Sequence, residues 1–285
     1  MSNNQKAIFY AVLAAALYAI NAPVSKLLLT EIPSTMMAGL LYLGAGIGMC
    51  TLEKFSKHKE ELPLTKKELP YTAAMVILDI AAPIFLMIGL TRCSAANASL
   101  LNNFEIVATS MIALFLFRET VSKKLWLAIT LVTISSIMLS FEDMGSLQFS
   151  WGSLFVLLAC ICWGFENNCT RMLSSKNPAQ IVIIKGFGSG IGALVLSFVI
   201  GERFFQVGYL LLALILGFVA YGLSIYFYIY AQRDLGAAKT STYYAVSPFI
   251  GAGLSLIIFR ESPSLIFIIA LAIMAVGTYF ASTEE

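Results

Sequence analysis

The sequence predicts an all-α integral membrane protein of ten transmembrane helices, arranged as two inverted five-helix repeats. Three observations predict it. Composition comes first: 59% of the 285 residues are hydrophobic and 12% charged, with a mean hydropathy of +0.85. Soluble domains run at about 45–50% apolar and about 25% charged. Second, apolar runs of spanning length recur ten times, roughly 20 such residues being needed to cross about 30 Å of hydrocarbon. Third, the second half of the chain repeats the first.

The first run, 7–29, follows Lys6 and passes the small-residue stretch AAALYA. It stays apolar well beyond the length of a signal-peptide core, so a retained helix is expected. The second run, 35–52, opens after Pro33, and the polar stretch LEKFSKHKEELPLTKKELP at 52–70 separates it from the third. That third run, 71–90, is introduced by Pro70 and carries Asp79 four residues before Pro83. The fourth, 95–116, holds Glu105, and the fifth covers 122–140. In the second half the runs are 151–173, 178–200, 207–231, 239–259 and 263–281, with Pro178 and Pro263 at helix starts, where proline is tolerated.

Little is left for other classes. The polar stretches leave no room for a globular domain outside the bilayer, and a net charge of +2 without a basic stripe gives no footprint for nucleic acid. Cys50, Cys93, Cys160, Cys162 and Cys169 are an odd number scattered through apolar segments, read as small apolar residues. His58 lies among lysines and glutamates and reads as a solvated surface residue. No cofactor or metal is expected.

With the N-terminus in the cytoplasm, that side receives Lys6, Lys54, Lys57, Lys59, Lys66, Lys67, Arg118, Lys123, Lys124, Arg171, Lys176, Arg233 and Lys239. The opposite side receives Lys26, Arg92, Arg203 and Arg260. The imbalance follows the positive-inside rule and puts both termini in the cytoplasm.

Shifted by 145 residues, LYAINAPVSKLL (17–28) lies on CWGFENNCTRML (162–173). Shifted by 142, AANASLLNNFEIVATSMIALFLFRE (95–119) lies on AAKTSTYYAVSPFIGAGLSLIIFRE (237–261), and Phe117-Arg118-Glu119 recurs as Phe259-Arg260-Glu261. The matches keep their order along both halves, which divides the chain into 1–145 and 146–285. Five helices per half make the second half cross in the opposite sense. Inverted repeats are characteristic of secondary transporters, whose sites lie near the midplane between repeats.

Two tandem copies of the pattern A-x-x-[AS]…E/P…F-x-E, each closing a five-helix unit, resemble the EamA-type family of the drug/metabolite transporter superfamily. The resemblance covers nearly the whole chain. It implies a ten-helix carrier of small solutes in the cell membrane, often an exporter of amino acids or related metabolites. One departure stands out. The family's Glu-Pro in the fourth helix is Glu105-Ile106 here, whereas the ninth keeps proline as Ser247-Pro248. A break in the fourth helix is thereby in doubt.

Membrane charges mark the candidate site. At about 1.5 Å per residue, Glu105 lies about 15 Å from either face, Asp79 about 12 Å, Lys185 about 10 Å and Glu166 about 8 Å from the cytoplasmic side. Each would cost at least about 2.5–3.5 kcal/mol facing lipid, so all four should face the interior or water. Helical spacing joins Asn102, Glu105 and Thr109 in one polar stripe, and Trp163, Glu166 and Thr170 in another. Lys185, Ser189 and Gly192 share a face, Tyr221 and Tyr228 lie on one side of the eighth helix, and Ser241, Tyr244 and Ser247 on one side of the ninth.

Candidate solute-contacting residues are therefore Asp79, Asn102, Glu105, Trp163, Glu166, Lys185, Tyr221, Tyr244 and Ser247. Each has a structural alternative. Lys185 and Glu166 form either part of the site or a structural ion pair. Asp79 either lines the site or satisfies backbone freed by Pro83, and the tyrosines either touch solute or pack. Glu105 either binds or holds Asn102 or a neighbouring helix. Lys26 and Arg171 are expected to snorkel, and Arg118 and Arg260 to act as topology and capping devices.

Three acids against one base favour a cationic or zwitterionic solute, such as an amino acid or amine. The alternative is a broad exporter of apolar cations, lined by Tyr and Trp. No His pair, serine elbow or Walker loop supports an enzyme or ATP-driven pump, and the helix count argues against a seven-helix receptor. The expected partners are a small-molecule substrate and the lipid bilayer, in a monomer or homodimer.

Overall fold

The computed structural model describes residues 3–55, 62–118, 122–142, 150–173, 176–235, 240 and 243–282. Expectations placed on Lys57, His58, Lys59, Glu119, Lys239, Ser241, Glu285 and most of the loop at 141–148 lie outside the described residues. Among those described, all regular structure is helical. The first span is α1 (Asn3–Ala19) and α2 (Asn21–Leu28), the second α3 (Ser34–Phe55) and the third α4 (Leu69–Leu90). The fourth is α5 (Ala95–Leu101) with α6 (Phe104–Phe117), and the fifth is α7 (Lys123–Glu142). Then come α8 (Trp151–Leu173) and α9 (Pro178–Val199). The eighth span joins α10 (Val207–Gly217), a π segment Phe218–Leu223 and α11 (Ser224–Leu235), and α12 (Ser247–Phe259) and α13 (Leu265–Ser282) close the chain.

Local chemistry sets these ends. Ser94 and Asn177 accept the backbone N–H groups of Asn97 and Gln180 at 3.1 and 3.2 Å, capping α5 and α9. Pro70, Pro178 and Pro248 fall in first turns. The recurring Phe-Arg-Glu has a backbone reason: Arg118 and Arg260 end α6 and α12 in the left-handed region, with φ 55° and 53°. This is a C-terminal cap, and the Glu261 N–H closes it on Leu256 O at 3.1 Å. Lys26 donates to the Leu90 and Cys93 carbonyls, so it caps the end of α4 rather than reaching for the interface.

Among the described residues nine helical stretches are long and apolar enough to cross a bilayer. Of the predicted 239–259 helix, residues 239, 241 and 242 lie outside the described ones, which show a turn at Ala245 and Val246 before Pro248 and then α12, 13 residues long. The fourth span is broken, although it lacks the family proline. The chain leaves the α pattern at Asn102 and Asn103, where the N–H groups of Asn103, Glu105 and Ile106 bond three residues back. Asn103 Nδ2 takes the Leu100 carbonyl at 3.1 Å, and asparagine side chains compete with the helix in this way. The break puts Glu105 in the first turn of α6, where the helix dipole favours a carboxylate.

Packing runs across the two halves. The second span packs on the seventh, the third on the sixth, the first on the eighth, the fourth on the ninth and the fifth on the tenth. Small residues allow the closest of these contacts. A methyl group on Gly190 of α9 would fall 2.6 Å from the Leu43 nitrogen of α3, so glycine is required there. Large apolar side chains such as Ile77, Val199 and Ile257 point outward, as a lipid-facing surface requires.

Candidate functional site

The interior holds an ion cluster contributed by four spans. Lys185 on α9 places its ammonium 3.2 Å from Asp79 Oδ2 on α4 and 2.9 Å from Glu166 Oε1 on α8. Tyr42 on α3 donates to Asp79 Oδ1 at 2.8 Å, and the Thr170 hydroxyl donates to Glu166 Oε1. Lys185, Glu166 and Asp79 are 6%, 3% and 0% exposed. Burial at this level is costly for ions unless they are paired and hydrogen-bonded, and here each one is. Asp79 faces Lys185 and Tyr42 with its side chain; it does not spend it on backbone freed by Pro83.

Glu105 is the exception. It is half-buried, and among the described residues its partner is the neutral amide of Asn167, whose Nδ2 donates to Oε1 at 2.6 Å and lies 3.4 Å from Thr109 Oγ1. Asn167 follows Glu166 directly, so α8 carries one acid of the cluster and the holder of the other acid on adjacent positions.

Between these groups and the first span runs a chain of tyrosines. Ring centroids lie 5.1 Å apart for Tyr42–Tyr221, 5.8 Å for Tyr18–Tyr221, 6.1 Å for Tyr18–Tyr244 and 5.0 Å for Tyr228–Tyr244. Tyr221 accepts from Asn21 Nδ2 at 3.1 Å, and Ser25 in turn donates to Asn21 Oδ1 at 3.0 Å. Tyr244 lies 3.4 Å from the Ser224 hydroxyl, and Ser247 donates to the Ala15 carbonyl at 2.7 Å.

Of the residues singled out from sequence, Asp79, Glu166 and Lys185 meet directly, while Tyr221 and Tyr244 join the tyrosine chain beside them. Asn102 and Ser247 meet instead in a small pocket among the first, fourth and ninth spans. Trp163 is buried among apolar side chains, in the same cluster as Tyr42 and Tyr221. Sequence reasoning passed over Tyr18, Tyr42, Asn21 and Asn167. For Asn21 a signal existed: the 145-residue shift lays it on Glu166. Tyr42, inside a uniformly apolar run, offered none.

The model of the EamA-like transporter family matches residues 5–141 and again 150–283. The chain belongs to this family. It resembles an "Uncharacterized transporter" of Methanothermobacter thermautotrophicus, with 23% identity over 92% of this chain and 82% of that one. It also resembles the "Uncharacterized inner membrane transporter YedA" of Escherichia coli K12, with 25% identity over 76% of this chain and 71% of the relative. One solved crystal structure shares the fold, at TM-score 0.67 and 15% identity, over 99% of this chain and 96% of the other. This member of the EamA-like family is thus a multi-pass membrane transporter rather than an enzyme.

Proposed function

We propose that the protein is a secondary carrier that exports a small cationic or zwitterionic solute, such as an amino acid or amine, across the cell membrane. One observation carries the reading. Among the described residues the one buried lysine is already held by two carboxylates, while Glu105, the third acid there, faces a neutral amide. Counted as ionised, the interior groups sum to an excess of negative charge, and Glu105 is the member free to take a positive group. Lys185 is correspondingly ill placed to receive a solute carboxylate.

In this reading the halves 1–145 and 146–285 are inverted repeats with both termini in the cytoplasm. The packing supports it, because exchanging the halves turns the first–eighth contact into the sixth–third and leaves the other pairs unchanged. Reporters after Glu285 and near Lys57 then register the cytoplasm, and one near Asp143 the outer side. A cytoplasmic reporter at Asp143 would remove the inverted arrangement.

The solute itself is tested in proteoliposomes by counterflow, after a thermal-shift screen of amino acids and amines. Glu105→Gln preserves size and hydrogen bonding but fixes the group as neutral. If Glu105 holds the solute, its affinity in counterflow falls tenfold for each step of about 1.4 kcal/mol in binding free energy. If it carries a coupling proton, exchange persists and the response to a pH gradient disappears. Unchanged exchange with an unchanged pH response would return Glu105 to a packing role. The tyrosine chain favours a second reading, efflux of apolar cations held by cation–π contacts, which the screen separates by the class of compound that stabilises the protein.

A further inference from the structure

The pocket among the first, fourth and ninth spans has no residue of the ion cluster on its wall and is lined by Tyr18, Asn21, Ser99, Asn102, Ser247 and Gly251, among others. It leaves about 10 Å³ for the centre of a water-sized particle, room for a single small occupant. Two of its side-chain oxygens, Ser99 Oγ and Asn102 Oδ1, are buried and make no hydrogen bond. Ser99 and Asn102 are 3% and 9% exposed, and buried polar atoms left in this state are costly.

The surrounding chemistry is rich in oxygen acceptors. Pro23 has no N–H, so the Ala19 carbonyl lacks the donor four residues on. That carbonyl and Ser99 Oγ lie 3.1 and 3.0 Å from the place a side chain on Gly251 would fill, so both border the same space. Several donors nearby are committed elsewhere: Asn21 Nδ2 gives one of its two hydrogens to Tyr221, the Ser25 hydroxyl donates to Asn21, and the Ser247 hydroxyl donates to Ala15. Pro248, also on the wall, has no donor to give. Neutral oxygens of Ser99, Asn102 and Ala19 thus border a space of one small particle.

We propose that this pocket is a sodium site, formed by Ser99 Oγ, Asn102 Oδ1, the Ala19 carbonyl and the Ser247 hydroxyl oxygen. Hard cations take oxygen ligands. With no carboxylate on the wall, a divalent ion has no counter-charge to draw it from water, and of the common monovalent cations sodium has the higher charge density and needs fewer oxygen ligands. The site joins three spans at the places where their helices break, after Ala19, at Asn102 and before Ser247. Freed backbone carbonyls at such breaks are how transporter folds hold coupling cations. Sodium bound here ties the three spans together in the arrangement described. The inference does not rest on the identity of the solute.

The test is a melting curve of the purified protein in sodium, potassium and choline chloride at equal ionic strength. A saturable rise in melting temperature specific to sodium is expected. Ser99→Ala should abolish the sodium-specific part of the rise. Gly251→Ala, which fills the space, should do the same while leaving every ligand in place. Asn102→Asp supplies a charge and should lower the half-saturating sodium concentration at least tenfold, which keeps the test informative if the alanine variants fold poorly. Equal melting temperatures in the three salts for the parent protein would mean that the pocket holds water only and would overturn the site. So would a sodium response that survives both Ser99→Ala and Gly251→Ala. Because the readout is binding, a failed solute screen leaves it standing.

Discussion

Two junctions in the molecule are built on one plan with opposite chemistry. In the first, α2 meets the eighth span: Ser25 donates to Asn21, and Asn21 donates to Tyr221. In the second, α8 meets the third span: Thr170 donates to Glu166, and Glu166 faces Asp79 across Lys185. The 145-residue shift lays Asn21 on Glu166 and Ser25 on Thr170, so both junctions place the hydroxyl one turn after the group it serves. The neutral junction closes on itself with an amide and a phenol. The charged junction sets two carboxylates against each other and needs a cation between them, which α9 supplies as Lys185 where the shift places Leu40 in α3. Corresponding positions in the two halves thus share an arrangement while differing in charge, and α8, which supplies Glu166 to the charged junction, also carries Asn167 and its grip on Glu105.

Removing the cation should break the comparison most strongly. Lys185→Ala leaves Asp79 and Glu166 buried without their counter-charge, and breaking a buried pair in this way costs about 3–5 kcal/mol. A large fall in melting temperature of the detergent-solubilised protein is expected, with loss of transport. Adding Glu166→Gln removes one of the stranded carboxylates and should recover most of the stability but not the transport. A single variant as stable as the parent would show that Lys185 does not hold the junction together.

How much of this could be read from the sequence differs by scale. The spans were legible because an apolar run of bilayer length has few other uses, and the repeat because short polar landmarks such as Phe-Arg-Glu survive inside otherwise uniform apolar text. Asp79, Glu105, Glu166 and Lys185 announced themselves by their cost in a membrane. Their neutral partners did not. Tyr42 and Asn167 carry no charge, and tyrosine and asparagine have ordinary packing uses, so only the fold shows that they touch Asp79 and Glu105. The break at Asn102 and Asn103 was hidden for a related reason: the resemblance tied helix breaking to proline, whereas here the side-chain amide of Asn103 binds the Leu100 carbonyl.

The hydroxyls sharpen the same comparison at lower energy. Hydrogen bonds to charged groups contribute about 1.5–3 kcal/mol and neutral ones about 0.5–1.5. Thr170→Val, which strips the donor from Glu166, should therefore lower the melting temperature more than Ser25→Ala, which strips it from Asn21. Equal shifts would mean that the two junctions are energetically alike despite their charges.

The smallest change in stability is expected from the largest change in chemistry. Replacing a buried ionic triad outright by uncharged residues of similar volume is often neutral or stabilising, because the desolvation of the ions is removed together with their attraction. The combined variant Asp79→Asn, Glu166→Gln, Lys185→Met converts the charged junction into a neutral one like that between Asn21 and Tyr221. Its melting temperature should stay close to the parent's, in contrast to Lys185→Ala alone. If the charges exist to hold the third, sixth and seventh spans together, transport should survive with the fold. If they exist because the carrier must bind or release a charged partner at this depth, counterflow should be lost from a protein that is otherwise intact. The interior excess of acid over base favours the second outcome, and retention of full counterflow by the combined variant would sink it.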